Sequence, residues 1–307
     1  MALITGLRAI AKPPVRAVVA LGMFDGVHIG HQRLIRTAVL EARRLGGTSV
    51  VLTFEPDPQR VLNPAFVSAP LMPLVARVAA LHALGADHVW VIPFTRRFSK
   101  TSAEAFVQTL LVRRLRVQCV VVGRSFVFGH QRRGSLMMLR AIGRRAGFRV
   151  IAVAPVARDG ATVSSSRIRA LVRSGDVANA ARLLGRPLTL HGTIVRGAGR
   201  ATRLGFPTAN LRLAHQLLPA PGVYRVRLHR DGRSWLGVMN LGRRPTFGPG
   251  PLTCEVHLLH FRGSLYGRPV SVEMLQRLRA ERRFPSVEAL VEQMRRDIAA
   301  AQASVTR

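Results

Sequence analysis

The chain has 307 residues, 48% of them apolar, with unexceptional glycine and proline. It is long enough for one large core or two ordinary ones, and the composition excludes a disordered, collagenous or low-complexity protein. Lys+Arg number 47 against 15 Asp+Glu, a formal charge of +32, and since Lys12 and Lys100 are the only lysines, 45 of the cations are arginine. The excess is evenly spread, with 27 basic against 8 acidic residues up to Gly185 and 20 against 7 beyond it, which excludes a basic tail on a neutral enzyme. The sign points to anionic partners: nucleic acid, a membrane surface or phosphorylated small molecules.

No apolar stretch approaches the roughly 18 residues of a membrane span. The opening MALITGLRAIAKPP has too short an apolar core for a secretory signal, so no membrane association is expected. Cys119 and Cys254 sit singly in strand-like runs and read as small buried hydrophobes of a reduced, cytoplasmic protein.

In chain order, short β-branched runs alternate with amphipathic stretches. AVVALG precedes a helix from about Gly30, SVVLTF a helix in the 70s, HVWVIPF a helix after Ser102, and VQCVVVG a helix after Gly134; FRVIAVA closes the series. Apolar strands separated by helices predict a doubly wound parallel α/β sheet. Val163 to Leu184 predicts two short helices divided at Ser174-Gly175, with Asp176 as N-cap. Beyond Gly185-Arg186-Pro187, LTLHGTIV, GVYRVRLH, SWLGVMNL, LTCEVHLLHF and RPVSVEMLQRL alternate and are joined by turn residues, predicting an antiparallel barrel or sandwich. A long helix follows from Ser286 to about Ala301, and the expected domains are 1–185 and 186–307.

The densest chemistry is Gly22 to His31, GMFDGVHIGH, between the first predicted strand and its helix. Glycines allow close backbone approach, a helix start offers N–H groups, and His28 and His31 flank Gly30 at i and i+3, a phosphate cradle with two imidazoles. The string resembles the adenylyltransferase module of the bacterial bifunctional riboflavin kinase/FAD synthetase family, of the HIGH nucleotidyltransferase type. Phe54-Glu55-Pro56-Asp57-Pro58, Val122 to Gly129 and Ser164-Ser165-Ser166-Arg167-Ile168-Arg169 follow in the family's order. The resemblance implies that ATP is bound by Gly22, Phe24, Asp25, His28, Gly30, His31, Ser164, Ser165 and Arg169, with Arg167 as a lesser candidate. It implies further that Asp57, Ser125, Phe126 and Phe128 line the flavin and nucleotide cleft. An FMN phosphate is already anionic, so its attack on the ATP α-phosphate calls for alignment and charge cover rather than a strong base.

In the second half, Gly197-Ala198-Gly199-Arg200 precedes Gly205-Phe206-Pro207-Thr208-Ala209-Asn210. Thr208 and Asn210, two apart in an extended segment, present oxygens on one face for Mg²⁺ or phosphate. With Gly222-Val223-Tyr224, Asn240 to Phe247 and Glu255-Val256-His257, this set resembles the family's riboflavin kinase module. The resemblance implies ATP binding by Gly197, Gly199, Arg200, Thr208 and Asn210, the metal at Thr208 and Asn210, and Glu255 as general base. Arg279 and Phe284 would cover the flavin. The implied substrates are ATP, riboflavin and FMN, with FMN and FAD as products and Mg²⁺ accompanying ATP.

The chain departs from the family pattern at Asp57, where the family has His, and at Ser125, where it has Asp or Asn. Ser135 replaces an acidic residue, Ala201 a glycine, and His260 the Asp before Phe261. These motivate one rival, a divergent paralogue with a single active module or altered flavin specificity. The charge of +32 motivates another, a nucleic-acid-binding protein on an enzyme fold, but there is no RNP, helix-turn-helix or zinc pattern, and two Trp and two Tyr offer little stacking surface. No motif speaks to oligomeric state.

Overall fold

The computed structural model describes residues 2–6, 13–63, 65, 69–197, 204–242 and 252–303. The chain divides into two compact units: Met1–Ser68 with Leu74–Ser164, and Ala69–Pro73 with Ser165–Arg307.

The first unit is built on six strands: β1 (Ala2–Thr5), β2 (Val18–Leu21), β3 (Ser49–Glu55), β4 (His88–Pro93), β5 (Cys119–Gly123) and β6 (Arg149–Val153). They pair in parallel in the order β1-β4-β3-β2-β5-β6. The central runs are apolar throughout because helices cover both faces, and Val18 to Leu21 are all buried. The helices are α1 (Ile29–Arg44), the short α2 (Pro58–Leu62), α3 (Leu74–Ala83), α4 (Ala103–Phe106) and α5 (Leu136–Ala146). The helix expected after Ser102 starts there, with Ser102 as N-cap, but runs on as a π-helix over Val107–Arg114. Strand β1 was not expected; it uses the apolar residues of the opening segment to extend the sheet edge beside β4.

The second unit opens with α6 (Ser165–Ser174) and α7 (Val177–Leu184), the latter capped by Asp176 as expected. A small hairpin, β7 (Ala157–Arg158) with β8 (Ala161–Thr162), precedes them in the first unit. Then come β9 (Leu188–Val195), β10 (Ala209–Leu213), β11 (Gly222–Arg230), β12 (Arg233–Gly242), β13 (Thr253–Leu258) and β14 (Pro269–Ala280). They close into a barrel in the order β10-β13-β12-β11-β14-β9, which settles barrel over sandwich. Inward residues such as Leu190, Tyr224, Val226, Met239, Val256 and Met274 are fully buried. Helix α8 (Val287–Ala303) packs on the outer face, where Ala301 and Ile298 meet Val223, Val238 and Leu278. Ser286 Oγ accepts from the Ala289 N–H, the expected cap. Arg277 ties the turn after α6 to the barrel, donating to the Ser174 and Pro221 carbonyls at 3.2 and 2.8 Å.

Candidate active sites

The order of the parallel sheet reverses between β2 and β5, because the chain leaves β2 for β3 on one side and reaches β5 from β4 on the far side. Ligands of open α/β sheets bind at such a point, beyond the carboxyl ends of the strands. The loops there are residues 22–28 after β2 and 124–129 after β5, so the topology brings Gly22, Phe24, Asp25, His28 and His31 to the same edge as Ser125, Phe126 and Phe128.

Phe24, Gly26 and Val27 all have positive φ (52°, 79° and 42°), a costly geometry for an aromatic and a β-branched residue. The turn is closed by the Val27 N–H donating to the Phe24 carbonyl at 3.1 Å, and it leads directly into the N-terminus of α1, whose N–H groups favour an anion. The glycines fit it closely: a Cβ on Gly22 would lie 2.9 Å from the Phe24 ring, and one on Gly30 would lie 3.1 Å from the His28 ring. His28 is the N-cap of α1, its Nδ1 accepting from the His31 N–H at 3.2 Å, so the neutral ring carries its proton on Nε2. One of the helix N–H groups is thus used within the loop. The two imidazoles stack at 3.5 Å, and Phe24 meets His31 edge-on at 5.3 Å. His31 Nδ1 is enclosed and has no hydrogen-bond partner among the described residues. Burial, and secondarily the neighbouring His28, pushes the His31 imidazole well below its ordinary value of 6.5.

The cleft residues take several parts. Phe126 stacks on buried Phe128 at 5.4 Å while Ser125 is exposed. Asp57 is the N-cap of α2, accepting from the Gln59 N–H at 2.8 Å, and Ser135 caps α5 through the Met138 N–H at 3.2 Å. Both departures from the family pattern are therefore good capping residues. Ser164 ends the first unit; Ser165 opens α6, one turn from Arg169, with Arg167 between them half-buried.

In the barrel, one rung crosses four strand pairs. Asn210 faces Glu255, Glu255 faces Asn240, Asn240 faces Val223, and Val223 faces Arg279. Directly paired residues point to the same face, and the flanking Leu241 and Val256 fill the core, so Asn210, Glu255 and Asn240 stand in a row on the outside. Thr208 lies two residues before Asn210, just ahead of β10. The segment before β10 is anchored by His257 Nδ1, 2.9 Å from the Pro207 carbonyl, with Phe206 edge-on to the same ring at 6.0 Å. Gly197 lies against the Asn210 side chain: a Cβ there would lie 2.0 Å from its amide nitrogen, so any larger residue would displace that amide. Gly199, Arg200 and Ala201, and the stretch Arg243 to Phe247, lie outside the described residues. Cys254, behind Glu255, is pushed up to about 12 by burial and by that carboxylate, so the thiol stays neutral.

Arg279 Nε and Nη2 hold the buried Asp297 carboxylate of α8 at 2.8–3.1 Å. Arg279 and Arg282 both stand over the Phe284 ring, at 5.6 and 4.9 Å. An open cleft of about 380 Å³ adjoins it, lined by Arg282, Phe284, Gln293 and Arg296 among others.

Comparison with known proteins separates the same two halves. The FAD synthetase family model matches residues 11–167 and the riboflavin kinase model residues 184–305. The bifunctional riboflavin kinase/FMN adenylyltransferase of Pseudomonas fluorescens is 41% identical over 99% of this chain and 97% of its own length. The chain belongs to this family. The Escherichia coli K12 enzyme of the same name is 36% identical, covering 97% and 96% of the two chains, and that of Bacillus subtilis 34%, covering 94% and 92%. A crystal structure of a macrolide-efflux protein from Streptococcus pneumoniae matches with TM-score 0.90 at 31% identity, covering 98% of this chain and 99% of that one. Among the described residues here, no helix is long and apolar enough to cross a membrane.

Sequence reasoning assigned no role to Asn240, His257, Asp297 or Arg77. The first three emerge only from strand register and helix docking. Arg77 left a signal: with Val78 and Leu81 it occupies the apolar stripe of α3, where a cation is out of place.

Proposed function

We propose that the barrel transfers the γ-phosphate of ATP to the 5′-hydroxyl of riboflavin, and that the sheet unit then adenylylates FMN to FAD with release of pyrophosphate, the two activities dividing near Gly185. The observation that carries this reading is that residues 22–31 stand at the sheet's switch point beside the loop after β5, while Asn210 and Glu255 face each other on one barrel rung.

In the barrel, Glu255 accepts the hydroxyl proton as the new O–P bond forms and passes it to solvent. Asn210, directly opposite, and Thr208, two residues earlier, hold the phosphates beside it. The oxygens of Thr208 and Asn210, next to the Glu255 carboxylate, are the hard donors that magnesium favours; bound with ATP, it neutralises phosphate charge. Gly197, Gly199 and Arg200 belong to the same phosphate loop. Arg279 lies on the same rung as Glu255, three strands away around the closed barrel. Phe284 then packs on the flavin, held in place by Arg279.

In the sheet unit, no base is needed. The Phe24 N–H and the α1 N-terminus face the phosphates, and His28 donates from Nε2. Phe126 and Phe128, with Ser125 and Asp57, line the flavin side. A reducing cytoplasmic setting is supported by two free, buried thiols, Cys119 and Cys254.

A time course with riboflavin and MgATP tests the reading: FMN accumulates first, then FAD. Glu255→Ala lowers FMN formation by about 10²- to 10⁴-fold while supplied FMN is still adenylylated. The double change His28→Ala with His31→Ala does the reverse. Wild-type phosphorylation in Glu255→Ala would refute the base assignment.

A further inference from the structure

The adenylyltransferase loop is held from beneath by a residue outside every motif. Arg77 of α3 is 3% exposed, and its guanidinium reaches across to the loop and to β3. Nη1 donates to the Met23 carbonyl at 3.2 Å, and Nη2 donates to the Phe54 carbonyl at 3.2 Å and to the Glu55 carboxylate at 2.6 Å. Thr53, fully buried, donates its hydroxyl to the same Met23 oxygen at 2.9 Å.

Met23 and Phe24 share a peptide plane. In a trans peptide the carbonyl and the next N–H point in opposite directions. Two donors fixed on the Met23 oxygen therefore turn the Phe24 N–H away from α3 and into the concavity of the loop. They also hold Phe24 at its left-handed φ of 52°, with its ring against His31. A leucine or methionine in this apolar stripe would bury similar volume. Arg77 instead leaves its Nε enclosed without a hydrogen-bond partner among the described residues, so burial alone does not account for the cation.

We infer that Arg77 is a positioning residue for adenylyl transfer, setting the Met23–Phe24 peptide so that the Phe24 N–H and the His28/His31 pair face the ATP phosphates. Glu55 balances its charge, and Thr53 shares its hold on Met23. This inference rests on the proposed role of residues 22–31, and kinase activity in the same chain gives an internal control for folding.

The test compares Arg77→Met, Arg77→Lys, Thr53→Val and the double variant Arg77→Met with Thr53→Val, all as full-length protein. Each is measured for FMN adenylylation, riboflavin phosphorylation and the His31 Hε1 resonance, assigned with His31→Gln. Arg77→Met is expected to lower the adenylylation kcat by about 100-fold, the scale for a displaced catalytic group. Riboflavin phosphorylation stays unchanged, and the His31 resonance moves as the Phe24 ring turns. Arg77→Lys retains a cation within reach of Met23 and is expected to recover adenylylation to within about tenfold and to restore the resonance. Thr53→Val shifts both readouts in the same direction, and the double variant is less than additive because both act on one oxygen.

Adenylylation within about twofold of wild type in Arg77→Met, while His28→Ala abolishes it, would overturn the inference and leave the loop's role intact. Equal loss in the Met and Lys variants with an unmoved His31 resonance would also overturn it, marking Arg77 as structural. Full adenylylation in the His28 and His31 variants would refute the underlying reading instead. If Arg77→Met does not fold, Thr53→Val and Arg77→Lys decide by the same criteria.

Discussion

His31 sits at the first turn of α1 with Nδ1 enclosed, and its folded-state pKa lies well below the ordinary 6.5. The unfolded chain takes up a proton there near 6.5, and the folded chain only at lower pH. Between those values the unfolded state binds more protons, so this contribution to stability is complete above about pH 6.5 and is lost as pH falls. A triphosphate in the cradle reverses the balance, since an adjacent anion favours the imidazolium. ATP binding to the sheet unit is therefore expected to take up protons near pH 6. Titration calorimetry of the Glu255→Ala protein in two buffers of different ionisation heat measures this uptake, and adding His31→Gln should diminish it. Equal uptake with and without His31 would refute the assignment.

At the scale of elements, the arginine–aspartate clamp fastens the last helix to the barrel. Asp297 is 5% exposed and takes three hydrogen bonds from Arg279 and one from Gln293. Asp297→Ala leaves the Arg279 guanidinium half-buried without its anion and is expected to cost about 3 kcal/mol of stability. Pairing Asp297→Leu with Arg279→Met removes both charges, should cost less, and is read by urea unfolding of each variant. A double variant as unstable as Asp297→Ala would show that packing, rather than the stranded charge, sets the cost.

What the sequence disclosed at this scale follows from what is local. Helix starts were legible at Ser102, Asp176 and Ser286 because a cap acts within three residues. The strands of the parallel sheet were legible because burial on both faces leaves unbroken apolar runs. The rung from Asn210 to Arg279 was not, since it depends on register among strands as much as 70 residues apart, and alternation fixes the face of a residue but not its partner. The π-helical continuation after Phe106 left no signal in a pattern that fits an ordinary helix equally well. The motifs located the loop of residues 22–31, but Arg77 lies outside them and its contacts needed the fold to be seen.

At the scale of the whole molecule, the structure shows where the scarce carboxylates are spent. Asp57 and Asp176 cap helices, Glu55 and Asp297 balance buried arginines, and Asp87 accepts from Ser49. Glu41, Glu273, Glu292 and Asp231 each pair with neighbouring arginine on the surface. With 15 acidic residues in all against 47 basic ones, most arginines have no carboxylate to neutralise them. Some arginines crowd helix ends, as Arg113 with Arg114 and Arg144 with Arg145, where the helix dipole welcomes each cation but not its neighbour. Repulsive pairs therefore outnumber attractive ones, and the balance fixes the sign of the salt effect. Raising NaCl from about 10 to 150 mM shortens the screening length from about 30 to 8 Å. This weakens the many long-range repulsions more than the few contact pairs. The melting temperature of the ligand-free protein is expected to rise over this interval, with the same final value in chloride and perchlorate if screening is the cause. A fall would mean that contact ion pairs dominate despite their small number, and a different plateau for each anion would mean that anions bind at particular arginines rather than screen.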